Sequence, residues 1–189
     1  MKKILTICFC LLLATGLLAA CGTGGETPES DPAATVPAAN APVTFTTTTL
    51  AGESFSNEDL TPYDLTLIVI WTSWCNVCVG EIPQIEQVYQ QLPENYNLIS
   101  ICMDADDPEV AAEITDYLAE TGATYPVLLP TAELADAYAA LTSGYPANLY
   151  VDSEGAVIGE PVVGAMRDAE DNIQMLLDGF TERAASLTE

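Results

Sequence analysis

Leu65-Thr-Leu-Ile-Val-Ile-Trp71, running on through Thr72-Ser-Trp-Cys75-Asn-Val-Cys78-Val-Gly-Glu81-Ile-Pro83, decides how the rest of the chain is read. The first seven residues form a continuous apolar run rich in β-branched side chains, which is the pattern of a central strand buried on both faces. A helix is expected from Cys75 to Leu92, with Ile82, Ile85, Tyr89 and Leu92 on one face and Pro83 kinking it from inside. The Cys75-x-x-Cys78 pair therefore falls where the strand gives way to the helix. Free backbone N–H groups and the positive end of the dipole stabilise an anion there, so the Cys75 thiol should ionise more readily than a free one. A thiolate is the nucleophile of thiol-disulfide exchange, and Cys78, one helical turn on, is placed to resolve a mixed disulfide. Two plainer readings compete. A zinc site would need two more ligands, and the chain has no His and no second Cys-x-x-Cys. A purely structural disulfide closing so short a loop would stabilise little.

Outward from this stretch the pattern alternates. Thr44 to Thr49 reads as a threonine-rich strand, Gly52 as a turn and Asn57 to Leu60 as a short turn or helix. Asn97 to Met103 reads as a second buried strand. Residues 108 to 121 form a helix opened by Pro108 and closed by Gly122. Pro126 to Leu129 is a short strand and Ala132 to Ala140 a helix. Ala147 to Val151 and Ala156 to Gly159 form a hairpin around Asp152-Ser153-Glu154-Gly155, and a terminal helix runs from an Asp168 N-cap to about Leu187. Strands alternating with helices, then a hairpin and a helix, give an α/β fold with a mixed sheet covered on both faces.

The chain has 189 residues, 49% hydrophobic and 17% charged, enough for one ordinary core. It carries 28 Asp and Glu against 4 Lys and Arg, net −24. Nucleic acid is not expected as a partner of so acidic a chain. The absence of His excludes imidazole catalysis, imidazole metal ligation and haem attachment through Cys-x-x-Cys-His. No cofactor and no metal are expected.

At the N-terminus, Lys2 and Lys3 precede an apolar run from Ile4 to Leu18 that closes on Leu18-Ala19-Ala20-Cys21. This reads as an export signal ending in a lipobox, with Cys21 the acylated residue, and the run is short for a membrane span. Residues 1–20 are thus expected to be a signal peptide, 21–42 a lipidated Cys and flexible tether rich in Gly, Pro, Ala and Thr, and 43–189 the folded domain. Losing the two lysines takes the net charge from −24 to −26 and leaves Arg167 and Arg183 as the fixed cations. Cys8 and Cys10 leave with the signal, so Cys75, Cys78 and Cys102 remain as thiols, Cys102 being expected as a buried packing residue in its apolar strand.

Residues 67–83 resemble the thioredoxin-fold, membrane-tethered thiol-disulfide oxidoreductases of the TlpA/ResA type, with strand, Trp-Cys-x-x-Cys, Glu and Pro at matching offsets. Gly144-Tyr145-Pro146-Ala147-Asn148-Leu149-Tyr150-Val151-Asp152, followed by Gly155, resembles that family's cis-proline segment and hairpin. The resemblance implies a thioredoxin-like fold of the AhpC/TSA-Redoxin superfamily. It further implies a helix and strand inserted between the Cys-x-x-Cys helix and the cis-proline segment.

Several site residues follow from the resemblance. Tyr145-Pro146 would be a cis peptide facing the cysteines, with Tyr145 offering backbone groups to a substrate peptide. Tyr125-Pro126 is a rival of the same composition. Glu81 has two readings: a partly buried carboxyl that moves a proton to or from a cysteine, or an acid favourably placed near a helix N-terminus. Smaller thioredoxins carry a buried Asp where this chain has Val69, and Val77 stands where many family members have Pro. Trp74 is expected to cover the active site, whereas Trp71 serves as cover or core.

The leading functional reading is a lipid-anchored extracytoplasmic thiol-disulfide oxidoreductase that reduces disulfides of exported proteins, with Cys75 attacking and Cys78 resolving. The resemblance implies apocytochrome c or methionine sulfoxide reductase as substrates and a membrane electron donor of the CcdA/DsbD type. Two alternatives stand beside it: a thiol peroxidase, since Thr72-Ser73-Trp74-Cys75 has the T-x-x-C spacing, and a non-catalytic binding lipoprotein that keeps the fold.

Overall fold

The computed structural model describes residues 44–187. The expected signal peptide, Cys21 and the tether to residue 42 lie outside the described residues.

Strand β3 (Leu65–Trp71) is buried along its whole length, and both of its faces have an apolar partner layer. Leu65, Leu67, Val69 and Trp71 share one core with Ile82, Ile85 and Val88 of helix α1 (Asn76–Tyr89), Ile114 of α2 (Pro108–Thr121), and Leu176 and Phe180 of α4 (Ala169–Ser186). Ile68 and Ile70 point the other way, into a core with Phe45, Phe55, Leu60, and Leu134 and Tyr138 of α3 (Ala132–Tyr138). This double burial is why the strand carries no alternation.

Strands β4 (Tyr96–Cys102), β5 (Val127–Leu128), β6 (Ala147–Val151) and β7 (Val162–Val163) complete a five-stranded sheet in the order β5-β4-β3-β6-β7. Strand β4 runs parallel to β3 and β5, while β6 is antiparallel to β3 and β7. The sheet is therefore mixed and flanked by helices, as expected of a thioredoxin-like fold, and α2 with β5 forms the expected insertion. Parallel pairing sets Trp71 beside Cys102 at the carboxyl ends of β3 and β4.

Some elements depart from the sequence reading. The threonine-rich strand shrinks to β1 (Thr46–Thr48) and pairs with an unforeseen β2 (Ser54–Ser56) in a small separate hairpin, with Gly52 at φ 83° in the turn. Helix α1 runs unbroken across Pro83. The expected second hairpin arm at 156–159 makes only an isolated bridge, Val151 to Val157. Gly159 turns the chain out at φ 74°, and Pro161 has no N–H to continue a ladder. Pairing resumes at β7, opposite Ala147 and Asn148.

The terminal helix opens at Asp168 as expected, its side chain accepting from the N–H groups of Glu170 and Asp171. It lies close on the sheet because Gly179 has no side chain: a methyl there would overlap the Tyr150 hydroxyl. That hydroxyl donates to the Leu176 carbonyl of α4 at 2.7 Å.

Candidate active site

At the end of β3 the chain leaves the sheet through Thr72 and Ser73. The Asp104 carboxylate, just past β4, accepts from the Ser73 N–H at 2.9 Å, from the Ser73 hydroxyl, and from the Cys102 thiol at 3.1 Å. These bonds hold the Asp104 carboxyl below its ordinary value against the opposing effect of burial. Trp71 is core and donates from its indole to the Ser100 hydroxyl at 3.2 Å. The loop that presents the cysteines is thus pinned to the neighbouring strand.

Cys75 is the N-cap of α1, in extended backbone geometry, and its Sγ accepts from the Cys78 N–H at 3.3 Å. That contact is the local expression of the anion-stabilising helix start. Cys75 and Cys78 are joined in a disulfide with Cα atoms 5.2 Å apart. Their environments differ: Cys75 is half-buried, and Cys78 is only 2% exposed.

Tyr145-Pro146 is the one cis peptide among the described residues, so the rival Tyr125-Pro126 is not cis. The Trp74 indole, 69% exposed, meets the Tyr145 ring edge-on with centroids 6.0 Å apart. Tyr145 is half-buried and Pro146 buried, with the Pro146 carbonyl accepting from the Gly164 N–H at 2.8 Å. The cis-proline segment therefore stands beside the residue that precedes Cys75. Cys102, the free cysteine among the described residues, is fully buried. Burial, with Asp104 against it, pushes its thiol far up, so it stays protonated and takes the packing role expected of it.

Glu81 is 2% exposed, on the turn after Cys78. Burial raises its pKa from 4.5 to about 7, against the lowering effect of a hydrogen bond from Asn172. The Asn172 amide donates to Glu81 Oε1 at 2.7 Å, while Oε2 is buried with no partner. Of the two readings of Glu81, its position favours a buried carboxyl that can hold a proton near neutral pH.

Asn172, itself completely buried, escaped the sequence reading, as did Asp104. The available signal for Asn172 was a polar residue in phase with Leu176, Gly179 and Phe180 on the buried stripe of α4.

The thiol-peroxidase reading of Thr72-Ser73-Trp74-Cys75 needs an Arg to polarise the peroxide, and Arg183 is engaged elsewhere. Arg183 stacks 4.3 Å from the Tyr150 ring centroid and donates to the carbonyls of Ile158, Gly179 and Glu160. Arg167, the other described cation, is exposed.

Residues 37–159 match the profile of the AhpC/TSA family. Sporulation thiol-disulfide oxidoreductase A of Bacillus subtilis is 27% identical over 158 residues, which cover 82% of this chain and 87% of that protein. Thiol-disulfide oxidoreductase ResA of Bacillus thuringiensis is 25% identical over 64% of this chain and 66% of its own length. Among solved structures, a thiol:disulfide interchange protein of the thioredoxin family from Chlorobium tepidum superposes with a TM-score of 0.60 at 25% identity. It covers 73% of this chain and 94% of that one.

Proposed function

We propose, from the premise that this chain belongs to the AhpC/TSA family and is a thiol-disulfide oxidoreductase of the thioredoxin fold, that it reduces disulfides of exported proteins outside the cytoplasm. The observation that carries the division of labour is the asymmetry of the pair. Cys75 is accessible at the helix start, and Cys78 is buried one turn in.

In the reduced protein the Cys75 thiolate attacks one sulfur of a substrate disulfide. A Cys75–substrate disulfide forms, and the other substrate sulfur leaves as a thiolate that takes a proton from solvent. Cys78 then gives its proton to Glu81 and attacks Cys75 Sγ. The bond from Cys75 to the substrate breaks, and the second substrate thiolate is protonated in turn. Two electrons have passed to the substrate, the Cys75–Cys78 disulfide remains, and Glu81 releases its proton to solvent. Return to the dithiol needs a two-electron thiol donor, assigned here to a membrane protein of the CcdA/DsbD type.

Trp74 and Tyr145 supply the apolar rim against which the substrate lies, and the backbone at the cis Tyr145-Pro146 bond pairs with it in strand fashion. Apocytochrome c and exported methionine sulfoxide reductase are the candidate substrates. The lipobox and the Gly- and Pro-rich stretch support an anchor at Cys21, a signal peptide over 1–20, a tether over 21–42 and a catalytic domain over 43–189.

The test is equilibration of the protein in dithiothreitol redox buffers, followed by insulin-reduction and peroxide-consumption assays. Expected are a reversible two-electron couple, lost in Cys75→Ser, and insulin reduction without peroxide turnover. Absence of a reversible couple, or peroxide consumption as the dominant activity, overturns the reading. Incorporation of a labelled fatty acid, abolished by Cys21→Ala, tests the anchor separately.

A further inference from the structure

We infer that Asn172 is the positioning residue of the proton-carrying carboxyl: its amide holds Glu81 by Oε1 and leaves Oε2 as the oxygen that gains and loses the proton. The inference rests on the proposed proton transfer between Cys78 and Glu81. Its starting point is the orientation of the Asn172 amide. Asn172 Oδ1 accepts from the Met166 backbone N–H at 2.8 Å. A backbone N–H can only donate, so oxygen must occupy that side, and the amide nitrogen is forced to face the other way.

Both protons of that nitrogen are engaged, one on Glu81 Oε1 at 2.7 Å and one on Gln84 Oε1 at 2.8 Å. An amide NH2 cannot accept. The carbonyl oxygen of a protonated carboxyl is a better acceptor than its hydroxyl oxygen, so with Asn172 donating to Oε1 the hydrogen is carried on Oε2. That oxygen is the buried one without a partner. Cys78 precedes Glu81 by three residues on α1 and is equally buried, so the two side chains share one face of the helix. Asn172 thus does from α4 what nothing on α1 does: it makes the two carboxyl oxygens unequal.

The titratable groups around this point are few. Cys75 caps α1 and Cys78 lies on it. Tyr125 and Cys102 share the buried cluster with Cys78, and burial pushes both far above neutral pH. Glu170 and Asp171, in the first turn of α4, are exposed.

The experiment measures the midpoint potential of the Cys75/Cys78 couple against pH from 5 to 9, with urea midpoints to confirm folding. The wild-type curve is expected to carry, besides the bend set by the Cys75 thiol of the reduced protein, a bend near pH 7, where Glu81 titrates, and Glu81→Gln should remove that second bend. Asn172→Ala removes a donor that favours the carboxylate and should move the bend up by about one pH unit, tenfold in proton affinity. Asn172→Asp keeps an acceptor for the Met166 N–H, so the loop tether survives, but it sets an oxygen against Glu81 Oε1. Its bend should move up at least as far, and this variant carries the test where Asn172→Ala fails to fold. In the Glu81→Gln background Asn172→Ala should leave the curve unchanged. A bend unmoved by both Asn172 substitutions yet removed by Glu81→Gln refutes the role of Asn172 and leaves Glu81 standing. Equal shifts with and without Glu81 reduce Asn172 to a structural residue. A curve that Glu81→Gln leaves unchanged removes the Glu81 reading and this inference with it.

Discussion

Replacing Glu81 by Gln should stabilise the oxidised protein above neutral pH and leave it nearly unchanged in acid. Burial, offset in part by the Asn172 bond, lifts the Glu81 pKa from 4.5 to about 7. A raised carboxyl pKa means that the folded state holds the proton more tightly than the unfolded chain does. Below pH 4.5 both states are protonated, and Glu81 costs no ionisation energy. Between pH 4.5 and 7 the unfolded chain is ionised while the folded protein is not, and stability falls by ~1.4 kcal/mol per pH unit. Above pH 7 the loss is complete, about 3 kcal/mol in all.

Gln keeps an oxygen for the Asn172 donor and cannot ionise. The Glu81→Gln protein should therefore lack this loss and be more stable by about 3 kcal/mol at pH 8, with little difference at pH 4.5. Urea unfolding of both proteins across this range supplies the measurement, the disulfide keeping Cys75 and Cys78 from titrating. Self-repulsion of an acidic chain also grows with pH, but it is common to both proteins and cancels in the difference. Glu86 and Asp104 have lowered pKa values. Their stabilisation is present above the unfolded carboxyl pKa and lost only as pH falls further, outside the window used. Parallel stability curves for the two proteins between pH 5 and 8 would refute the assignment of a buried, proton-holding carboxyl.

Two further substitutions probe how the last helix is held. Gly179→Ala places a methyl on the Tyr150 hydroxyl and ring and should destabilise by roughly 1–3 kcal/mol in urea unfolding; a loss below 0.5 kcal/mol would mean that α4 is not closely docked. Arg183→Met keeps most of the apolar stem but gives up three carbonyl contacts and the Tyr150 ring. It should cost about 1.5–3 kcal/mol, a cost that survives high salt, because the contact to the exposed Glu182 at 3.6 Å contributes little.

The parts of this fold that were legible are those in which one element carries its own signal. Strand β3 has the bounds expected of it because seven buried positions in a row leave no other period to choose. Cys75 at the helix start and Asp168 as an N-cap are local features of the chain. The cis bond at Tyr145-Pro146 was different. Composition alone could not separate it from Tyr125-Pro126; the resemblance to a family, and its place before the hairpin and terminal helix, made the choice. What stayed hidden depends on neighbours. Strands β2 and β7 are three and two residues long, too short for any alternation, and exist because β1 and β6 offer them an edge. Asp104 finds Ser73 only because parallel pairing brings the ends of β3 and β4 together.

Asn172 shows why a site of this kind needs the whole domain. The Cys75–Cys78 pair is complete once β3 and α1 have formed, since the strand end, the N-cap and the turn between the cysteines are local. The carboxyl beside it is not: its fixed oxygen is held from 91 residues further along the chain. That bond exists only when α4 lies against the sheet with Leu176 and Phe180 in the core and Gly179 under Tyr150. A chain lacking α4 would keep both cysteines and Glu81 in sequence, but the carboxyl would lose its donor and the cover that keeps it protonated near pH 7. On the proposed mechanism, thiol reactivity and proton handling thus have separate structural origins in one site, and conditions that loosen α4 should change the pH dependence of exchange before they abolish exchange itself.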